Sequence, residues 1–273
     1  MNMRLLAVFL LLALRPEFIP AGQEKASSDT PYVERSHKEF KFYPGGKVEI
    51  YAGVPGSLEI QGWDRAMVEV ESETVVYYLP ADQARALVLK YPLRVRYGQT
   101  SATITTSGPP KSAVGVETNL KLRVPKDRTD IKMGILQGDL KMSRITGWIE
   151  ADLQQGDVEV SHLQGYFSAS TKAGDLNLQM EGKRWLGQGF TAATQRGSVA
   201  LRLPLGYSAA LQLDTRDGDI TIDYPEQEVE GEKVPLLAVV KGKARSLTAT
   251  VGDGGAPVRV HTDAGNIDLA PIP

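Results

Sequence analysis

Apolar and polar residues alternate strictly through the middle of this chain. Ile149, Ala151 and Leu153 flank Glu150 and Asp152, and Val158-Val160 and Leu176-Leu178 repeat the pattern. A period of two specifies β-strands with one buried face and excludes helices there. The runs are punctuated by Gly138-Asp139, Gly156-Asp157 and Gly174-Asp175, successive steps of 18 residues. Between these pairs Ile145 aligns with Leu163, Gly147 with Gly165, Trp148 with Tyr166, Ile149 with Phe167 and Ala151 with Ala169. Stretched copies follow at Gly197-Ser198, Gly218-Asp219 and Gly265-Asn266.

Two short strands joined by a glycine-bearing corner cannot bury an apolar face alone. Copies stacked about 4.8 Å apart, in register and parallel, form a continuous core. The predicted fold is therefore all-β: a single-stranded right-handed β-helix, or β-solenoid. At each corner Gly supplies backbone angles closed to other residues, and the next residue accepts hydrogen bonds from nearby backbone N–H groups. Ser198 and Asn266 in the Asp column fit that structural role, because both make such bonds without a charge. A calcium ladder is the competing reading. Ca²⁺ takes six to eight oxygens, whereas each corner offers one carboxylate, and "DTRDGDITIDY" lacks the calcium-loop spacing.

Residues 39–125 carry a looser version of the pattern and are read as divergent N-terminal rungs. They contain one helix, residues 81–90, with Asp82 near its start and prolines at 80 and 92 bracketing it. Residues 126–273 form the regular solenoid, with an insertion at 223–257. An open solenoid end exposes unpaired strand edges, so the helix is expected to cover the N-terminal end. The C-terminal "APIP", whose Pro271 and Pro273 cannot donate to another strand, is expected to close the other.

Residues 1–21 have Arg4 followed by ten apolar residues, Leu5 to Leu14, and end in small residues. That is the pattern of an export signal, and ten apolar residues are too few for a membrane span of about 20. Residues 22–38, polar with Ser27-Ser28-Asp29, read as a flexible leader. A formal charge of -2 without a basic block argues against nucleic acid. The absence of cysteine removes disulfides, thiolate metal sites and a lipidated Cys. His37, His162 and His261 are not at chelating spacing, and neither a nucleophile elbow nor a phosphate-binding glycine loop occurs. No catalytic, cofactor or metal site is expected.

Trp148 and Tyr166 fall in one column on adjacent rungs beside Gly147 and Gly165. They are the candidate ligand platform, suited to a sugar ring or to a partner's apolar side chain; the competing reading has a loop covering them. Carboxylates on the same outer face, such as Glu150 with Asp152 or Asp157 with Glu159, have the separation that glycoside hydrolysis uses. They are also what any solvated sheet face displays, and Lys141 beside Glu159 reads as a cross-strand pair.

Two stretches carry a resemblance: "GGKVEIYAGVPGSLEIQGWDRAMVEVE", and then "LRVPKDRTDIKMGILQGDLKMSRITGWIEADLQQGDVEV". From about Glu39 to Leu269 the chain resembles a family of bacterial putative adhesins, domains of unknown function related to head-GIN autotransporter-adhesin-like domains. The resemblance implies a secreted or envelope-associated solenoid with no established catalytic site, and it transfers no functional residues. The expectation is an exported, non-catalytic binding or scaffolding module, periplasmic or extracellular, with envelope polysaccharide or a surface protein as candidate partner. The alternative is a carbohydrate-active β-helix enzyme.

Overall fold

The computed structural model describes residues 30–109, 115–229 and 232–272, so the expected export signal lies outside the described residues. Chain order begins with β1 (Tyr32–Lys41), β2 (Lys47–Ala52), β3 (Leu58–Trp63), β4 (Met67–Val76), helix α1 (Ala81–Lys90), β5 (Arg94–Tyr97), β6 (Ser101–Thr106) and β7 (Val116–Pro125). The middle contains β8 (Asp130–Ile135), β9 (Leu140–Leu153), β10 (Val158–Thr171), β11 (Leu176–Gln179), β12 (Gly189–Arg196), β13 (Val199–Leu203), β14 (Ala209–Asp217) and β15 (Ile220–Ile222). Last come β16 (Gln227–Val229), β17 (Glu232–Val234), β18 (Val239–Lys241), β19 (Ala244–Val251), β20 (Pro257–Ala264) and β21 (Ile267–Pro271).

The strands coil into a β-solenoid with two parallel walls. In the first wall the stacking order is β6, β2, β8, the second half of β9, the second half of β10, β12, β20 and β14. In the second it is β7, β3, the first halves of β9 and β10, then β11, β13, β21 and β15. Every pairing within these two series is parallel. The alternating apolar residues face inward: Val158, Leu176, Val199 and Ile267 form one column and are at most 1% exposed. Phe167 and Phe190 stack at 4.6 Å in the same interior.

Stacking order departs from chain order at both ends. The winding made by β2 and β3 is wedged between β6–β7 and β8–β9, and the last winding, β20–β21, is wedged between β12–β13 and β14–β15. The expectation that "APIP" closes the C-terminal end is therefore corrected: Pro271 pairs with Leu203, inside the stack. The ends are covered instead by antiparallel strands. β5 pairs with β6, β4 and then β1 extend the second wall beyond β7, with α1 lying against β1, and β19 followed by β18 extends the first wall beyond β14.

The leader expected over residues 22–38 is corrected in its second half, since Tyr32 onward is strand β1, paired along its whole length with β4, while residues 22–29 lie outside the described residues. Its side chains are mostly exposed, so hydrophobic periodicity could not reveal it. Backbone pairing and cross-strand contacts such as Arg35–Glu73 at 2.7 Å hold it.

Buried threonines finish one corner. The hydroxyls of Thr194, Thr262 and Thr215 each donate at 2.9 Å to the carbonyl of a corner glycine, Gly174, Gly197 and Gly265 respectively. Each bond satisfies a buried acceptor that would otherwise destabilise the fold. Tyr207 is the contrasting case: 1% exposed, its hydroxyl has no partner among the described residues, and burial with the neighbouring Tyr224 pushes the phenol pKa up. Tyr207→Phe is therefore expected to stabilise the protein by about 1 kcal/mol, because it removes a desolvated, unpaired hydroxyl and leaves the ring in place. Urea denaturation checks this; a loss of similar size would mean that the hydroxyl is satisfied in solution.

Candidate functional site

Each regular winding turns at two corners of different construction. At the first, the residues singled out in the repeat form two continuous columns along the solenoid axis. A Cβ added to Gly156 would lie 2.0 Å from the carbonyl oxygen of Gly138, and Gly174, Gly197, Gly265 and Gly218 meet a neighbouring glycine carbonyl just as closely. The adjoining column is a hydrogen-bond ladder. The Asp157 N–H donates to Asp139 Oδ1 at 2.9 Å, Asp175 N–H to Asp157 Oδ1 at 2.7 Å, Ser198 N–H to Asp175 Oδ1 at 2.7 Å, and Asp219 N–H to Asn266 Oδ1 at 2.9 Å. These side chains hold the neighbouring winding's backbone, which explains why Asp, Ser and Asn share the column. Ser57 and Asn119 extend it, with Ser57 N–H donating to Asn119 Oδ1 at 2.9 Å.

At the second corner β9 and β10 bend without ending. Arg144 and His162 take up left-handed backbone angles there, φ +62° and +56°, a single-residue kink that turns the chain from the second wall to the first. Gly147, Gly165 and Gly187 then stack so closely that no side chain fits between windings; a Cβ on Gly147 would lie 2.0 Å from the Thr129 carbonyl oxygen. The result is a strip of bare backbone on the molecular surface.

Trp148 and Tyr166 stand beside that strip. Register pairs them across β9 and β10, and their rings stack with centroids 3.9 Å apart at an interplanar angle of 24°. Trp148 is 42% exposed and Tyr166 half-buried, so among the described residues no loop covers the indole. The rings wall a groove of about 470 Å³ floored by the three glycines and edged by Arg128, Asp130, Thr146 and Gln188. The indole is fixed in place: its Nε1–H donates to Glu150 Oε1 at 2.8 Å, while the Trp148 backbone N–H donates to Asp130 Oδ1 at 3.0 Å. Behind Gly165, the excursion between β11 and β12 returns Trp185 to the core. Its Nε1–H donates to the Gly165 carbonyl at 2.9 Å, and its ring meets Phe190 edge-on. The repeat does not reveal Trp185, because it lies in an irregular insertion.

The outward carboxylates sit in paired ladders. Lys141 and Glu159 are 2.8 Å apart, Lys132 and Glu150 3.4 Å, and Asp152 accepts from the Ser170 hydroxyl at 2.8 Å. The hydrogen bond from Trp148, reinforced by Lys132, holds the Glu150 carboxyl below the usual carboxylate range. The structure also brings His37 to Glu69 and Glu71, from which it is far in sequence, with potential ligand atoms within 4.8 Å of one another. Strand pairing of β1 with β4 creates that cluster, and no local spacing could have revealed it.

These features define a β-solenoid with an exposed aromatic groove along one corner. Residues 149–270 match the family described as Toastrack DUF4097. No curated protein matches the chain. Among solved structures, a putative cell adhesion protein from Clostridium sporogenes is 13% identical, with 88% of this chain and 100% of that one covered at a TM-score of 0.48. A putative adhesin from Bacteroides fragilis is 11% identical, with 88% and 97% covered at 0.39. A putative lipid binding protein from Parabacteroides distasonis is 10% identical, with 89% and 98% covered at 0.28. None of these likenesses transfers a residue role. Among the described residues no helix is long and apolar enough to cross a membrane.

Proposed function

We propose that this chain is an exported, non-catalytic module of the bacterial envelope that binds an extended polysaccharide along the Trp148–Tyr166 groove. The observation that carries this reading is the stacked ring pair, Trp148 exposed and Tyr166 half-buried, beside a strip of bare backbone. Ring surfaces are suited to the apolar C–H faces of sugars, and the polar edge formed by Asp130, Arg128 and Gln188 offers partners for hydroxyls. A groove running along the solenoid axis fits a chain better than an isolated ring. The Arg4-led apolar segment at the N-terminus supports export.

Binding is favoured over cleavage by the surroundings of Glu150, the carboxylate that accepts from the indole. A glycosidase's general acid needs a raised pKa, whereas Glu150 is pulled the other way by Trp148 and Lys132. The polysaccharide reading is tested by affinity electrophoresis in gels containing purified envelope polysaccharides. The double variant Trp148→Ala, Tyr166→Ala is expected to lose about tenfold or more in retardation constant, from the aromatic contacts alone, while remaining folded. Retardation equal to wild type in a folded double variant would contradict the proposal.

A further inference from the structure

We propose that His37, Glu69 and Glu71 form a three-ligand site for a divalent transition ion of the zinc type on the outer face of the second wall, at its N-terminal end. Antiparallel pairing sets His37 directly opposite Glu71, and Glu69 lies two residues earlier on the same face of β4. His37 Nε2 is 3.8 Å from Glu69 Oε1 and Nδ1 is 3.9 Å from Glu71 Oε1, and one ring nitrogen and one oxygen of each carboxylate all lie within 4.8 Å of one another. Ligands of a tetrahedral zinc ion lie about 3.4 Å apart, given metal bonds of about 2.0 to 2.1 Å. An ion held by a single ring nitrogen therefore requires the three side chains to draw closer than the 4.8 Å seen here.

The surroundings favour an ion over a simple charged pair. Arg123 Nη1 holds Glu69 Oε2 at 2.9 Å, leaving Oε1 to face the imidazole, as an outer partner does for a metal-bound carboxylate. Arg123 is itself seated over the Trp63 ring at 5.9 Å. Glu69 is thus an anchored ligand, its side chain only 12% exposed, while His37 and Glu71 face the solvent. The nearby cations are engaged elsewhere, Arg35 with Glu73 and Lys121 with Glu59. Among the described residues Glu71 has no Lys or Arg ion-pair partner. A groove of about 640 Å³ lined in part by His37 and Glu71 gives access and leaves room for a water as fourth ligand. One imidazole and two carboxylates suit zinc, nickel or copper, whereas calcium needs more oxygens than this site supplies.

The test is isothermal titration of the metal-free full chain with Zn²⁺, repeated with Co²⁺ while recording the visible spectrum. The expected result is saturable uptake of one ion per chain, with cobalt bands of a tetrahedral N/O site. His37→Ala and Glu71→Gln, both at exposed positions, should each weaken uptake by more than about 100-fold, beyond the roughly 10- to 100-fold that an outer-shell loss produces. His162→Ala serves as control, because His162 pairs with one carboxylate only, Glu181 at 3.6 Å; it should titrate as wild type. No uptake at millimolar Zn²⁺ overturns the site, as does uptake unchanged in His37→Ala or lost in His162→Ala.

Discussion

Gly156→Ala is expected to cost about 3–5 kcal/mol, a large fraction of the stability of an ordinary domain. Two effects add. The new methyl would lie 2.0 Å from the carbonyl oxygen of Gly138 and 2.5 Å from its carbon, backbone atoms that cannot step aside without opening the stack. The position also has φ +141°, a region L-residues rarely adopt. Forced overpacking costs about 1–3 kcal/mol, and a residue held in a sparsely populated backbone region about the same again. Gly182→Ala separates the two, because Gly182 has φ +71° with nothing within 4 Å of the added carbon. It should cost only about 1–2 kcal/mol. Urea denaturation of both variants gives the comparison, and equal losses would mean that close contact between windings contributes nothing.

The second large effect is expected in the interior. Phe167→Ala should destabilise by about 3–5 kcal/mol, from lost transfer free energy and the cavity left behind. Phe167 is 0% exposed, and its ring stacks on Phe190, which Trp185 meets edge-on. Three aromatic rings in successive contact give neighbours little freedom to collapse into the gap. Phe167→Leu, which keeps most of the volume, should lose less, about 1–1.5 kcal/mol. A loss below 1 kcal/mol for the alanine variant would show that this part of the core is loosely packed.

The solenoid was legible in the chain because its physics is local and periodic. An 18-residue step, inward aliphatic columns and Gly-Asx corners all follow from one winding resting on the next, and consecutive copies report that contact directly. The side-by-side placement of Trp148 and Tyr166 follows from the same register; the exposure of Trp148 does not, because it depends on whether a distant loop folds over it. Other features have no periodic signature. β1 exposes most of its side chains, so its existence depends on the edge of β4 rather than on a buried stripe. The wedged windings β2–β3 and β20–β21 join segments far apart in sequence, and self-similarity reports which residues are equivalent, not which copies touch. His37 meets Glu69 and Glu71 only because β1 and β4 pair antiparallel in one register.

The central claim, a stack whose end windings are out of chain order, is tested most directly by engineered disulfides, since the chain has no cysteine of its own. Glu59 is paired on one side with Lys121 and on the other with Lys141. Adjacent parallel strands lie about 4.8 Å apart, within the usual disulfide range for Cα atoms, whereas two spacings, about 9.6 Å, exceed the limit of about 7 Å. Glu59→Cys with Lys141→Cys should therefore cross-link on mild oxidation, seen as altered mobility in non-reducing electrophoresis. Lys121→Cys with Lys141→Cys should remain reduced. Cross-linking of the second pair and not the first would place the windings in chain order and contradict the account.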